Sequence, residues 1–194
     1  MTDFIKEIFL SKYYNKLDKR KDTFNQIFRY LESLEKDSYT ILETGICRKE
    51  DNFAGDGMSS IMFDEFVNYY DGRFITIDIN PQNVEFAKSK LSSKSEILCS
   101  DSVSKLYELS KDDRLKSIDL VYLDSYDLDW NNPHPSAMHH VKELLAIMPK
   151  LSNGTLLVID DNERDRGKGQ YVSEFMKNIG KDYFFNEYQT AWII

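Results

Sequence analysis

The 194-residue chain is long enough to bury a full hydrophobic core as one domain without disulfides or metal ions. Its 25 Lys and Arg against 33 Asp and Glu give a net charge of -8, and no basic run is long enough to follow a phosphate backbone, so we expect no nucleic-acid partner. The sequence also lacks an apolar run of the signal-peptide or membrane-spanning kind, which predicts a cytoplasmic protein with no membrane contact.

Residues 1–38 are predicted to form a helical segment in front of the rest of the chain. Apolar residues recur there at steps of three and four, a spacing that lines one face of a helix and indicates packing. The residues of this face are Phe24, Ile27, Phe28, Leu31 and Leu34.

From residue 39 onward, short apolar runs alternate with helical segments. Strands are predicted at "YTILE", "RFITIDI", "SEILCS", "IDLVYLD" and "TLLVIDD", with one or two more in the tail "DYFFNEYQTAWII". Helices are predicted near 57–70, 81–92, 102–111, 135–150 and 168–180. This alternation is typical of a mostly parallel sheet covered by helices on both faces, so residues 39–194 are predicted to form one α/β domain.

Polar side chains follow two of the buried strands at the point where each strand ends. The run "SIDLVYLDSYD" places Asp124 and Asp127 there, and "GTLLVIDDN" ends in two acids and Asn162. Asp and Asn are common where a strand gives way to a loop, and Asn162 could simply cap the next turn of the chain. Three such residues in a row, with a second acidic strand end beside them, instead favour oxygen ligands gathered at the rim of the sheet.

A nucleotide site is predicted at the ends of the first strands. The loop after "ILETG" contains Gly45 and Gly57, which let the backbone approach a ligand closely, and the next helix opens with the donors Ser59 and Ser60. A carboxylate at the tip of the second strand, Asp78, can accept both hydroxyls of a ribose.

The third strand ends in "CSDS", where Asp101 and Ser102 are expected at an adenine edge. A nicotinamide cofactor would satisfy part of this pattern. However, the loop from Gly45 to Gly57 is too long for a compact G-x-G-x-x-G turn, and Glu43 stands where a pyrophosphate would be repelled. The sulfonium and ammonium groups of S-adenosylmethionine suit an acid-lined site better.

The motifs "ETG", "TIDINP", "SDS", "YLD" and "IDDN" together resemble the class I S-adenosylmethionine-dependent methyltransferases, over nearly the whole span from Tyr39 onward. Within that class the chain is similar to metal-dependent O-methyltransferases of the catechol O-methyltransferase kind and to bacterial relatives that modify sugars and antibiotics. The resemblance implies a Rossmann-like, doubly wound α/β sheet of seven strands with the last strand antiparallel.

The resemblance also implies roles for single residues. Glu43 and Gly45 would lie against the methionine part of the cofactor, Ser59 would help to hold its carboxylate, Asp78 would bind the ribose, and Ser102 would meet the adenine.

Asp124, Asp161 and Asn162 would form a magnesium site, because hard oxygen ligands with room for water suit that ion. A substrate hydroxyl on the metal would lose its proton more easily and attack the methyl group in line. The expected function is thus methyl transfer to a hydroxyl of a small molecule, such as a sugar or secondary metabolite.

Two departures from the family pattern bear on the mechanism. Catechol O-methyltransferases carry a lysine base three residues after the first metal aspartate, whereas this chain has Asp127 there. The candidate bases are therefore Asp127, His139 and His140, and the two adjacent histidines cannot both point the same way along a helix. The second departure is the long loop "CRKEDNFAGD", which could cover the cofactor or reach toward the substrate.

The remaining expectations concern surface and partners. "NERDRGKG" is predicted to be a solvated loop, and Cys47 and Cys99, which lack metal-like spacing, are expected to stay reduced. Aromatic residues near both ends of the chain make a homodimer an expectation. Two other functions stay open, a tailoring enzyme similar to cephalosporin hydroxylase and a non-catalytic module that binds an adenosine cofactor.

Overall fold

The computed structural model describes residues 3–55, 58–164 and 166–194. The N-terminal segment starts with short helical turns, namely a π-helical turn Ile5–Phe9, helix α1 (Leu10–Lys12) and two 3₁₀ turns, Tyr14–Lys16 and Asp18–Arg20. Helix α2 (Lys21–Ser33) follows. It buries the predicted apolar face, with Leu34 as its partly buried C-cap, so the prediction of a packed helix is confirmed.

The N-terminal segment shares one hydrophobic core with the rest of the protein. The ring of Phe24 stacks on Tyr122 at 5.8 Å, and Phe28 lies 5.3 Å from Phe66 and 6.1 Å from Phe63. All five side chains are fully buried. Burial of each such side chain contributes about 1.5–3 kcal/mol, so the segment is held to the sheet mainly by apolar packing.

Strands and helices then alternate in the order that the hydrophobic pattern predicts. The first half contains β1 (Thr40–Thr44), α3 (Ser59–Tyr69), β2 (Arg73–Asp78), α4 (Pro81–Lys88), β3 (Ser95–Cys99) and α5 (Ser102–Ser110). The second half contains β4 (Leu120–Leu123), α6 (His134–Ile147), β5 (Leu156–Ile159), the short hairpin β6 (Asn162–Glu163) and β7 (Arg166–Gly167), α7 (Gln170–Asn178), β8 (Phe185–Asn186) and β9 (Thr190–Ile193).

Among the described residues, seven strands form one sheet in the order β3-β2-β1-β4-β5-β9-β8. Strands β1 to β5 pair in parallel, whereas β9 runs antiparallel to both β5 and β8. The strand order reverses direction between β1 and β4, and ligands bind at the carboxyl ends of the strands at such a switch point. The predicted doubly wound α/β sheet with a reversed last strand is confirmed.

Helix boundaries differ from the predictions by a few residues. Helix α4 begins after Asn80, whose side chain accepts a hydrogen bond from Gln82 N (2.9 Å), and it ends at Lys88 rather than at residue 92. Leu91, just beyond the end of the helix, packs in the core. Across the described ranges, no helix combines the length and the apolar character needed to span a membrane.

Glu43, at the carboxyl end of β1, is fully buried and joins three elements. Its two oxygens accept hydrogen bonds from Ser59 Oγ (2.6 Å), Ser60 Oγ (2.6 Å) and Thr76 Oγ1 (2.7 Å). Burial raises the pKa of this carboxyl to about 8, although the three hydroxyl donors act to lower it. The acid ties the first turn of α3 to β1 and β2, which fixes both ends of the intervening loop.

The raised pKa of Glu43 predicts a pH-dependent stability. Because the pKa in the folded protein lies above the ordinary value of 4.5, the neutral carboxyl favours the fold below that pH, and this contribution is lost as the pH rises through about 8. We expect the free energy of unfolding to fall more steeply over this range in the wild type than in Glu43→Gln, whose amide does not ionise. Urea unfolding of both proteins across the range measures the difference; parallel pH dependences would contradict it.

Candidate functional site

Two adjoining cavities open at the carboxyl ends of the central strands. The larger cavity, of about 280 Å³, lies over the ends of β2 and β3, and the smaller cavity, of about 80 Å³, lies over the ends of β4 and β5. They share a wall made by Gly45, Asp78, Ser125 and Tyr126. A molecule bound in the larger cavity can therefore present one end to the smaller cavity.

Gly45 lets the two strand ends approach each other at this wall. Its backbone is left-handed (φ +81°), and an added Cβ would lie 2.5 Å from the carbonyl oxygen of Asp124. A side chain at this position would thus be both strained and in collision with the end of β4. The expected close approach of the Gly45 backbone to a ligand stays a prediction.

Asp78 stands at the end of β2 and lines both cavities. Its carboxylate accepts from Asn80 N (2.7 Å), Ile46 N (3.4 Å) and the Asn83 side chain (3.3 Å). These donors orient the group while it stays half-exposed. A carboxylate held in this way on the wall of a nucleoside-sized cavity suits the two hydroxyls of a ribose.

The far side of the larger cavity is built by the start of α5 and by α6. Asp101 caps α5 by accepting from Ser104 N (2.8 Å), and Ser102 Oγ lies 2.9 Å from His139 Nε2. The His139 ring is 5.3 Å from the ring of Tyr126, which gives the cavity a flat aromatic side. The structure thus brings Asp101, Ser102 and His139 together over the ends of β2 and β3 rather than beside the acids of β4 and β5.

The two adjacent histidines of α6 have different surroundings. His140 is fully buried, its Nδ1 lies 2.7 Å from the Ser136 carbonyl oxygen, and burial lowers its pKa to about 4. Glu143 lies beneath His139 and accepts a hydrogen bond from Ser125 Oγ (2.6 Å). One histidine therefore faces a cavity and the other is structural, so His140 is not a suitable base.

The smaller cavity is dominated by an ion-paired lysine. Lys168 Nζ lies 2.6 Å from Asp124 Oδ1, 3.2 Å from the Asp124 carbonyl oxygen and 3.0 Å from Asp161 Oδ2. Its side chain is only 2% exposed. The expectation of a solvated "NERDRGKG" loop is wrong at this residue, because the two carboxylates draw the ammonium into the protein.

Arg20 reaches the same strand ends from the N-terminal segment. Its guanidinium pairs with the fully buried Asp160 (2.8 Å) and with Asp161 (3.3 Å). Asp161 also accepts from Tyr188 OH (2.7 Å). Charged hydrogen bonds therefore satisfy both acids that end β5, and one of their partners lies about 140 residues away in sequence.

A series of buried hydrogen bonds connects Asp160 to the N-terminal segment. Tyr122 OH donates to Asp160 Oδ2 (2.6 Å), Gln189 Nε2 donates to Tyr122 OH (2.6 Å), and Thr23 Oγ1 donates to Gln189 Oε1 (2.5 Å). All four residues are buried. These hydrogen bonds link α2, β4, β5 and the start of β9. They therefore hold the Asp160 side chain in a fixed position at the end of β5.

The pKa of Asp124 suits a general base. Burial raises its pKa to about 7, helped by the charges of Asp160 and Asp161 and opposed by Lys168 and Arg20. Asp127 differs, because it lies exposed at the cavity rim and pairs with Arg48 at 2.8 Å, which lowers its pKa. Of these two predicted catalytic acids, only Asp124 is tuned to exchange a proton near neutral pH.

The residues predicted to bind magnesium do not fit that ion as they are arranged. The carboxamide of Asn162 is already used within the protein, since Nδ2 donates to the carbonyls of Ile159 (2.9 Å) and Asp160 (3.0 Å) and Oδ1 accepts from Gly169 N (2.7 Å). The Lys168 ammonium lies between the other two predicted ligands. No metal-type group of three or more His, Cys, Asp or Glu side chains occurs in the part of the chain that is described.

One predicted cofactor contact has another partner in the structure. The Ser59 hydroxyl, expected to help hold the methionine carboxylate, donates a hydrogen bond to Glu43 (2.6 Å), and its role toward the cofactor stays a prediction. Gly57, another predicted contact, lies outside the described residues.

The sequence analysis did not predict Arg20, Lys168 and Tyr188 as site residues. The one available signal was the glycine–lysine–glycine sequence soon after the strand-end acids.

The sequence model of the O-methyltransferase family matches residues 56–188, more than half of the chain. Among curated proteins, none has a significantly matching sequence. Among solved structures, the apo form of CalS11, a TDP-rhamnose 3'-O-methyltransferase of calicheamicin biosynthesis, has a TM-score of 0.63 at 14% identity and covers 99% of this chain and 88% of its own.

Two further structures show the same likeness. TomG from Streptomyces achromogenes, an O-methyltransferase of tomaymycin synthesis solved with SAM, has a TM-score of 0.55 at 16% identity, covering 98% of this chain and 93% of its own. The MycE methyltransferase of mycinamycin biosynthesis, solved with Mg, SAH and mycinamycin VI, has a TM-score of 0.59 at 15% identity. That match covers 93% of this chain but 47% of MycE, so the chain spans less than half of that relative. These likenesses concern the fold, and the family match gives the identity: the chain belongs to the O-methyltransferase family.

Proposed function

We propose that the protein transfers a methyl group from S-adenosylmethionine to a hydroxyl of a small polar molecule. One observation carries this proposal, namely that a nucleoside-sized cavity bounded by Asp78 adjoins a small charged cavity that contains Asp124. Their common wall at Gly45 and Asp78 would let the cofactor span both. The family match supports the same reaction class.

The larger cavity is chemically suited to the adenosine part of the cofactor. Asp78 would accept the ribose hydroxyls, and the Tyr126 and His139 rings would pack against the base, with Ser102 near its edge. The bound methyltransferase structures named above, MycE with SAH and TomG with SAM, support this choice of cofactor. Bound S-adenosylmethionine supplies an electrophilic methyl group on sulfur, which becomes a thioether when the carbon–sulfur bond breaks.

The smaller cavity would hold the acceptor hydroxyl. Asp124 would take the proton as the acceptor oxygen bonds to the methyl carbon, while Lys168 and Arg20 stabilise the negative charge that develops around that oxygen. The cavity is lined mainly by charged side chains, which favours a polyhydroxylated acceptor such as a sugar over an apolar one. The magnesium assistance expected from the sequence is not part of this proposal.

The alternatives from the sequence are less well supported. A hydroxylase-like tailoring enzyme is not favoured by the O-methyltransferase family match. A non-catalytic cofactor-binding module would need no acid with a pKa near 7 beside the cofactor cavity, yet Asp124 provides one. A homodimer, the absence of nucleic-acid partners and a cytoplasmic location stay predictions.

The first test is calorimetric titration with S-adenosylmethionine and S-adenosylhomocysteine, with NAD as the comparison ligand. We expect both sulfur nucleosides to bind and NAD not to bind. Asp78→Ala should weaken S-adenosylhomocysteine binding about tenfold or more, because charge-assisted hydrogen bonds contribute about 1.5–3 kcal/mol. Asp71→Ala, an exposed acid at the opposite end of β2, is the matched control. Equal affinity of the two variants would refute the ribose assignment.

The second test is the pH dependence of methyl transfer to a panel of sugars and other polyols. Deprotonated Asp124 is the active form, so kcat/KM should rise with pH through about 7, the pKa of this acid in the ligand-free protein. Asp124→Asn should lower kcat about 100-fold or more and abolish this rise. Asp127→Asn should keep the same midpoint, because that acid is already ionised at lower pH. A midpoint that survives in Asp124→Asn would assign the base elsewhere.

A further inference from the structure

We propose that the Lys168 ammonium occupies the place of a divalent cation in this site, so that methyl transfer proceeds without a bound metal ion. The statement about methyl transfer rests on the proposed function. Its structural part, that Asp124 and Asp161 are bridged by an internal cation supplied by the chain, is independent of the reaction.

The first support is the geometry around the nitrogen. A protonated lysine has three donors and no acceptor. Lys168 Nζ has three oxygen neighbours at 2.6, 3.0 and 3.2 Å, contributed by Asp124 Oδ1, Asp161 Oδ2 and the Asp124 carbonyl. The ammonium thus collects the oxygens of two strand ends, including both predicted acidic metal ligands, as a small cation would.

The second support is the way the backbone holds the lysine in place. Lys168 N donates to the Asp161 carbonyl (3.1 Å), and Gly169 N donates to Asn162 Oδ1 (2.7 Å). At Gly167 (φ +130°) a Cβ would lie 2.2 Å from the Asp161 carbonyl oxygen, so the turn requires glycine there. The loop is therefore built tightly onto the strand-end acids, and the lysine emerges from it directly between them.

The third support is the local charge. Among the described residues, Lys168 and Arg20 are the cations paired with Asp124, Asp160 and Asp161, so most of the negative charge at these strand ends is already compensated. The two carboxylates, 2.6 and 3.0 Å from Lys168 Nζ, favour the charged form of the lysine. A metal ion at the same oxygens would have to displace the ammonium or lie against it, at a large Coulombic cost.

Under this proposal, the Lys168 ammonium and the Asp124 carboxylate have separate roles in the reaction. The ammonium holds Asp124 and Asp161 at a fixed separation and provides positive potential beside the acceptor oxygen. Asp124 takes the proton. In a metal-dependent enzyme a metal ion supplies the positive charge, whereas here the Lys168 side chain supplies it.

The test uses Mn²⁺ as the probe of divalent-cation binding, followed by electron paramagnetic resonance, in the wild type and in Lys168→Ala. We expect no stoichiometric Mn²⁺ binding in the wild type. Lys168→Ala should bind one Mn²⁺ ion at least about tenfold more tightly, and the double variant with Asp124→Asn should lose that gain. Lys94→Ala, an exposed lysine paired with Asp71, is the matched control and should behave as the wild type.

Two outcomes would overturn the inference. One is stoichiometric Mn²⁺ binding by the wild type that Asp124→Asn removes, and the other is the absence of any gain in Lys168→Ala. Lys168→Met, which keeps the length of the side chain, serves if the alanine variant does not fold, and the wild-type titration needs no variant. S-adenosylhomocysteine binding is measured in parallel, so a failure of the proposed function shows there, while the Mn²⁺ result still reports on Lys168. Once an acceptor substrate is identified, EDTA should leave the wild-type rate of methyl transfer unchanged.

Discussion

The structure depends on how three carboxylates are accommodated at the ends of two buried strands. Asp124, Asp160 and Asp161 lie where β4 and β5 leave the core, and unpaired charges at such depth would be strongly destabilising. Arg20 and Lys168 compensate them from opposite sides, one from the N-terminal segment and one from the loop after β5. The paired cations allow acids to lie close together beside a cavity, which is the condition for the chemistry proposed here.

Much of the fold is contained in local sequence patterns. The alternation of apolar strands with amphipathic helices fixes the parallel sheet, and acids placed just after the strands fall at its carboxyl edge because every parallel strand ends there. For that reason Asp78, Asp101 and Asp124 could be located from the sequence. The reversed last strand followed from the family resemblance.

The partners of those acids could not be predicted in the same way. Lys168 stands in a run of charged residues and glycines that is typical of a solvated loop, and Arg20 precedes an amphipathic helix whose apolar face gives no sign of it. Their burial is a tertiary effect, because Arg20 pairs with acids about 140 residues away and Lys168 pairs with Asp124, 44 residues away, as well as with the nearby Asp161. Ser59 shows the same limit, since its position at a helix start was predictable but its hydrogen bond to Glu43 was not. The histidine pair was simpler, because helix geometry alone separates His139 from His140.

The hydrogen-bonded chain from Thr23 through Gln189 and Tyr122 to Asp160 has a consequence for how the protein folds. Thr23 and Gln189 are 166 residues apart in sequence, and Arg20 lies 140 residues from Asp160. Contacts of such high sequence separation require a large loss of chain entropy before they form, so they slow folding. We therefore expect the carboxylate cluster to form late in folding, after the parallel strands have paired.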